Sequence, residues 1–413
     1  MTQPSRIHLF QGYGIELEYM LVDKTTLAVK PIVDQVLRHE LGNYGSDFEN
    51  GMVTWSNELV LHVIELKSTH PENNFNALEN AFADDVRRVN GILEKWNAML
   101  MPTAAHPLMN PITDTKLWPH DNNEVYQLYD SIFNAKGHGW SNLQSTHLNL
   151  PFYDDEEFAK LHAAVRLVLP LLPALCASSP ILDGKLTGHL DTRLSYYKTN
   201  QAKIPSITGK VIPERIFSKR NYLQKVYDKI KTDIAPYDAS GVLNPIWVNS
   251  RGAIPRFDRG SIEIRIMDIQ ECPTADMAII ELVIETLKAL VNGKFIHHEK
   301  QMEYKTDGLV AIYEKVLADG QRATIDDVDY LRAFGLSSPC SPRELWQKVI
   351  EKITGSGNTA LEKWKPELSV ILTEGTLSER IIRAMNGDAS TECIVRIYRQ
   401  LAGCLAQNKM FIP

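Results

Sequence analysis

Between Gly14 and Asp23 apolar and polar positions alternate, with Ile15, Leu17, Tyr19 and Leu21 on one side of an extended chain and Glu16, Glu18 and Met20 on the other. That period of two predicts a strand. Residues 58–67, rich in Val, Leu and Ile, predict a second strand. In residues 143–152 Thr146, Leu148 and Leu150 alternate against Ser145, His147 and Asn149, predicting a third. Over Ser261–Asp268, Ile262, Ile264 and Ile266 share one face while Glu263, Arg265 and Met267 share the other. Other segments keep the helical period. Across 74–100, Phe75, Leu78, Phe82, Val86, Val89, Leu93, Trp96 and Leu100 recur at steps of three or four and predict one long helix. Residues 154–177 predict another, halted at Ser178-Ser179-Pro180. Past Pro273 only helices are predicted, over 275–290, 308–318, 342–353, 377–385 and 391–406.

Strands that alternate with a few long helices, followed by helices alone, predict an α+β fold: an antiparallel or mixed sheet backed by helices, with a helical C-terminal part. We expect a catalytic domain over residues 1–300 and a helical region over 301–413 packed on it. A chain of 413 residues that is 44% hydrophobic and 23% charged can build a large core, which excludes the disordered classes. Its net charge of −7, with no basic run, argues against nucleic acid as a partner. The most apolar stretch, 163–182, is interrupted by Arg166, Pro170, Pro173 and Pro180, so no membrane span is expected. The first residues lack a signal-peptide pattern, and the five scattered cysteines contain no CxxC pair; both features point to a reducing, cytoplasmic setting. No GxGxxG, P-loop, HExxH or GxSxG pattern is present.

Candidate chemistry lies on the polar sides of the strands. Glu16 and Glu18, two residues apart, would project from one face about 7 Å apart. Two buried carboxylates so placed repel each other unless a cation compensates them, and hard oxygen donors suit Mg²⁺ or Mn²⁺. The same reasoning selects Glu65, His147 and Glu263, with Arg265 available to neutralise charge on a phosphoryl group. Glu58 has the wrong parity to share a face with Glu65 and belongs to the preceding turn. An exposed sheet face also alternates, so the spacing alone leaves a solvated surface open beside a metal face.

Four segments occur in a recognisable order: Gly14-Ile15-Glu16-Leu17-Glu18, Ser145-Thr146-His147-Leu148-Asn149, Ala177-Ser178-Ser179-Pro180 through Thr187-Gly188 to Arg193, and Ser261-Ile262-Glu263-Ile264-Arg265. Trp247, Arg251 and Asp268 add a Trp-x-x-x-Arg turn and a terminal aspartate. From Gly14 to Asp268 the chain resembles glutamate–cysteine ligase family 2 and its carboxylate–amine ligase relatives. The resemblance implies a glutamine-synthetase-like fold whose concave sheet face holds metal ions. It also implies an ATP-dependent ligase of glutathione biosynthesis that phosphorylates the side-chain carboxylate of glutamate and passes it to an amine such as cysteine. Glu16, Glu18, Glu65, His147 and Glu263 would then share Mg²⁺ ions. Arg265 would stabilise the transferring phosphoryl group, and Arg193 would bind the acceptor carboxylate or the acyl phosphate. Glu58 and Asn149 would lie at the substrate, and Arg251 and Arg256 at the nucleotide. The chain departs from the family where Ser145 and Asn149 flank His147 in place of a second histidine, where Asp191 replaces a common serine, and in a longer 251–261 loop. The basic residues Lys203, Lys210, Arg215, Lys219 and Arg220 would form either a lid or a solvated loop. Two other readings remain open, a metal-dependent phosphoester hydrolase and a non-catalytic binding homologue, as does a homo-oligomer.

Overall fold

The computed structural model describes residues 6–413, and one antiparallel sheet organises it. Its strands are β1 (Gly14–Asp23), β2 (Asp47–Asn50), β3 (Val53–Asn57), β4 (Val63–Ser68), β5 (Ala98–Met101), β6 (Ser145–Pro151), β9 (Ala253–Arg256) and β10 (Ser261–Asp268); β7 (Ile181–Leu182) and β8 (Lys185–Leu186) form a separate ribbon. The main order is β2-β3-β4-β1-β6-β10-β9, with β5 joined to β1. Met20 pairs with Val63 on one side and Met101 on the other, so β5 continues the β6 side of β1.

Directly opposed residues of antiparallel strands point the same way, so the register decides what shares a face. Glu18 lies opposite Glu65, Glu16 opposite His147, and Glu263 opposite Asn149. The alternate positions, Ile15, Leu17, Tyr19, Leu66, Leu148 and Ile262, are fully buried. They share a core with the helices Phe75–Leu93, Asp155–Val168 and Pro273–Val291. The last of these is apolar nearly all round, as a helix enclosed on every side must be. Among the described residues no helix is long and apolar enough to cross a membrane.

β1 and β10 form over the residues whose alternation predicts them. The 58–67 strand is shorter: β3 ends at Asn57, β4 starts at Val63, and the turn between them bonds elsewhere, Leu61 N–H to the Lys116 carbonyl. The 74–100 helix stops at Leu93; after a single turn, Asn97 adopts a left-handed φ of 50° and redirects the chain into β5. Leu100 thus belongs to a strand, its N–H held by Asn90 Oδ1 at 2.8 Å. The 154–177 helix is cut after Val168, because Pro170 and Pro173 have no N–H to continue it.

β10 carries a bulge between Ile264 and Met267, which reverses the parity beyond it. Met267, expected beside Glu263 and Arg265, instead pairs with Thr146 and is buried in the core. Asp268 pairs with Ser145 and so shares the side of β6 from which His147 emerges. Past Pro273 the expected helices form as Pro273–Val291, Thr306–Asp319, Pro342–Gly355, Leu377–Met385 and Thr391–Gln407, and His298–Glu303, Val328–Arg332 and Lys365–Thr373 are additional. Trp346 Nε1 donates to the Leu171 carbonyl at 3.3 Å and Tyr330 Oη to that of Leu167 at 2.6 Å, tying these helices to the 155–176 segment.

Candidate active site

The polar sheet face gathers side chains from β1, β4, β6 and β10. His147 Nδ1 lies 2.7 Å from Glu16 Oε2, and its Nε2 lies 3.0 Å from Ser145 Oγ and 3.7 Å from Glu18 Oε1. Glu18 Oε2 accepts from the Ser145 N–H (2.7 Å) and hydroxyl (2.9 Å). Glu65 Oε2 accepts from Ser56 Oγ at 2.6 Å, with Lys67 Nζ at 3.2 Å. Asn149 Nδ2 donates to Glu16 Oε1 at 2.9 Å. The close pairing of β1 and β6 here depends on Gly14, where an added Cβ would come within 3.0 Å of Asn149 Cβ.

Two overlapping sets, Glu16, His147, Glu263 and Glu18, Glu65, His147, each bring their ligand atoms within 4.8 Å of one another. Carboxylate oxygens with one imidazole fit a hard divalent cation such as Mg²⁺ or Mn²⁺. Both sets lie on rigid strands whose serine and asparagine partners fix the carboxylate rotamers.

The electrostatics record the crowding. Burial, aided by the Glu16 charge, pushes Glu65 up to about 7. Burial, with Glu18 and Glu65 close by, drives Glu58 well above the ordinary carboxylate range. Burial alone would also raise Glu16, but the hydrogen bond from His147 overrides it and holds that carboxyl far below its usual value. Burial disfavours a charged His147, yet the Glu16 and Glu18 carboxylates win and lift it to about 9. Four carboxylates, Glu16, Glu18, Glu65 and Glu263, thus crowd one face, and the cost of ionising Glu65 there is the condition a divalent cation relieves.

Beside this face opens a cavity of about 490 Å³. Its polar floor includes Glu18, Glu58, Ser145 and His147, and Arg193 and Arg265 border it. Its remaining wall is mixed: Tyr126 and Tyr129 from the helix Asn123–Phe133, Trp140, Tyr197 and Trp247 stand among the polar Asn122, Asn200, Gln201 and Ser250. Tyr129 and Trp140 meet edge to face at 4.8 Å.

The structure brings Glu16, Glu18, Glu65, His147, Asn149, Glu263 and Arg265 onto one face, and Glu58 to its rim from the turn after β3. Arg265 Nε sits 2.9 Å from Glu263 Oε1 without the alignment of a hydrogen bond, and Nη1 reaches the Asn249 carbonyl at 3.4 Å. Arg193 is almost wholly committed: Nε to Asp268 at 2.6 Å and Nη2 to the Met267 carbonyl at 2.9 Å. Asp191 caps the helix carrying it by accepting from the Leu194 N–H at 2.8 Å, work that a serine could also do. Arg256, expected in a long loop, stands on β9 with Nη1 at 3.3 Å from Glu263 Oε2. Arg251, expected at the nucleotide, is buried elsewhere, with Nε and Nη2 paired to Glu214 at 2.6 and 2.7 Å and Nη1 bonded to Asn249 Oδ1 and the Ser206 carbonyl. Of the basic 203–220 segment, Lys203 Nζ reaches the Ile132 carbonyl, Lys210 pairs with Asp307 and Arg215 bonds the Met302 carbonyl, so these three serve its anchoring. Sequence reasoning passed over Ser56, Lys67 and, of the aromatic wall, all but Trp247. Lys67 was findable from its two-residue step to Glu65, and Tyr126 and Tyr129 from their shared helical face.

Comparison with known proteins places this geometry. The chain has the fold of a solved glutamate–cysteine ligase from Francisella tularensis in complex with AMP, with a TM-score of 0.60 at 12% identity over 95% of this chain and 88% of that one. A bifunctional glutathione synthetase from Pasteurella multocida gives 0.59 at 13% identity, over 96% of this chain and 52% of that one. An uncharacterized protein of Archaeoglobus fulgidus is 30% identical over 402 residues, 97% of this chain and all of the relative. The family model of glutamate–cysteine ligase family 2 matches residues 13–400, and the chain belongs to that family.

Proposed function

We propose that this protein is a Mg²⁺- and ATP-dependent carboxylate–amine ligase that activates the side-chain carboxylate of glutamate as an acyl phosphate. The reading is carried by the two overlapping donor sets around His147 on one rigid sheet face, with Arg265 beside them. Family membership and the AMP complex of the Francisella tularensis neighbour support it.

In this reading Glu16, His147 and Glu263 would hold one cation, and Glu18 and Glu65, with His147 shared, another. When bound, the cations supply charge neutralisation at the phosphates. The chain's own residues do the rest. Arg265 faces the transferred phosphoryl group, and Arg193, fixed by Asp268, turns its free edge to the acceptor carboxylate. A carboxylate oxygen bonds to the γ-phosphorus as ADP leaves. The amine nitrogen then bonds to the acyl carbon, the C–O bond to phosphate breaks with its electron pair departing on phosphate, and the nitrogen sheds a proton to solvent. Such chemistry is mostly positioning and electrostatics and needs no glycine loop. Asn149 orients Glu16, and Arg256 steadies Glu263 from the edge strand. Cysteine is the amine that the family's name suggests.

The test is ADP release from Mg²⁺-ATP with glutamate and each of the twenty amino acids as acceptor, with mass spectrometry of the products. A γ-glutamyl amide supports the ligase. Turnover of a phosphoester with metal alone, and none of ATP with glutamate, replaces it with a hydrolase.

A further inference from the structure

Arg251 bears on how the site is held in register, and its part in turnover rests on the ligase reading above. The segment 199–214 contains no helix or strand, yet its Asn200 and Gln201 line the cavity beside the acidic face. Such a stretch keeps its place only where its polar groups find partners outside it. It finds them in the turn 249–252. The Ser250 N–H donates to the Ile207 carbonyl at 2.9 Å, the Gly252 N–H to that of Val211 at 2.7 Å, and Gln201 Nε2 to Ser250 Oγ at 2.9 Å.

The buried Arg251 side chain closes this joint. Its Nη1 donates to the Ser206 carbonyl at 3.1 Å and the Ile207 carbonyl at 3.3 Å, while Nε and Nη2 form a fork onto Glu214 at the far end of the segment. Gly209, with a φ of 57°, passes so near that an added Cβ would come within 3.1 Å of Nη2. Of this turn Ser250 lines the cavity, and the Arg251 guanidinium works from behind the wall. The same turn holds Arg265: its N–H donates to the Gly252 carbonyl at 3.0 Å and its Nη1 to the Asn249 carbonyl at 3.4 Å. Asn249 is in turn fixed by Arg251, whose Nη1 donates to its Oδ1 at 2.9 Å. A planar guanidinium can span the loop backbone, Glu214 and Asn249 together, whereas the compact ammonium of a lysine cannot.

We infer that Arg251 is a positioning residue: it staples the 199–214 loop to the turn that carries Arg265, so that the loop's cavity face and the phosphoryl-binding guanidinium are set as one unit. Its effect on the reaction passes through Arg265 and is read in kcat.

The experiment compares wild type, Arg251→Lys, Glu214→Gln, Arg265→Ala and the Arg251→Lys/Arg265→Ala double variant, reading ADP release from Mg²⁺-ATP and glutamate with hydroxylamine as the trapping amine. Arg251→Lys should lower kcat by ~10- to 100-fold, as a small displacement of a catalytic group does, and leave KM for ATP within about threefold. Glu214→Gln should lower kcat in the same sense but less; that side chain is 39% exposed, so this variant folds even if Arg251→Lys does not. In the Arg265→Ala background Arg251→Lys should cost far less than it does alone. Limited trypsin digestion reads the staple without turnover: cleavage after the exposed Lys203 and Lys210 should be at least ~10-fold faster in Arg251→Lys. A raised KM for ATP with kcat unchanged would overturn the inference and put Arg251 at the nucleotide. Full additivity with Arg265→Ala, or a loop as resistant to trypsin as the wild type's, would overturn it as well. If the wild type releases no ADP, the ligase reading falls and the part of Arg251 in turnover with it, and the tryptic pattern alone decides whether it holds the loop.

Discussion

Single residues on the sheet face act through charge that others must balance. Glu263 shares a donor set with Glu16 and His147 and has Arg256 and Arg265 close by. Glu263→Gln takes the counter-charge from Arg256 and Arg265, so the metal-free protein should melt below the wild type. Its gain in melting temperature on adding Mg²⁺ and ATP should largely vanish, and turnover should fall by more than ~10²-fold, since loss of even an outer partner of a metal ligand costs about 10–100-fold. An undiminished Mg²⁺-dependent gain would remove Glu263 from the cation site. Arg265→Ala should cost about 10³-fold in kcat with little change in KM, as expected of a cation that acts on the transferring phosphoryl group. Single-turnover quench-flow would show the loss in the ADP-forming step. At this scale the sequence reveals most of the acidic face, because a carboxylate inside an apolar strand is costly unless used. It does not reveal the partner of Arg251: Glu214, distant in sequence, occupies the guanidinium, and a buried arginine and a phosphate-binding one look alike in the pattern.

Elements place those residues, and their legibility depends on where the causes sit. β1 and β10 are readable because each buries one face completely, which imposes strict alternation. β5 is not, since the stretch Ala98–Met101 follows a helix in phase and only the left-handed turn at Asn97 separates them. The bulge in β10 is invisible for a related reason: Ile266 and Met267 are both apolar, so nothing in the pattern marks the reversal that buries one unexpected residue and turns Asp268 toward Arg193. The spacing of β1 and β6 can be tested directly. Gly14→Ala would press a methyl group against Asn149, loosening its hydrogen bond to Glu16. We expect a cost of about 1–2 kcal/mol in denaturant unfolding and roughly a tenfold fall in kcat. Asn149→Ala alone should reproduce the fall in kcat without the loss of stability. If Gly14→Ala lowers stability and leaves kcat intact, Asn149 is not what orients Glu16.

For the molecule as a whole, the pH dependence of stability is a contest between two buried populations. Burial pushes His62 and His106 down to about 4 and His162 to about 3, the last with Arg166 and Arg251 adding repulsion. His106 shows the cause most plainly: its Nδ1 accepts from the Leu108 N–H at 3.0 Å, so its Nε2 must be the donor to the Leu27 carbonyl at 2.7 Å, and a second proton has no place. The charged or titratable groups facing it are His62, Asp114 and His138. Between pH 6.5 and about 4 the unfolded chain binds a proton at this position that the folded chain refuses, so its contribution is full above 6.5 and is lost as pH falls through that window. Glu65 works in the opposite sense. Raised from 4.5 to about 7, it keeps a proton in the folded state that the unfolded chain releases, so it costs stability as pH rises. The wild-type slope sums these opposing groups, and the informative quantity is a difference between two proteins. His106→Gln keeps a donor and an acceptor but cannot titrate. Between pH 7 and pH 4.5 it should lose less stability than the wild type by about 2 kcal/mol, the part of the linkage that falls within this window. Urea unfolding at the two pH values reads this directly, and equal losses in the two proteins would mean that His106 accepts its proton without leaving its site.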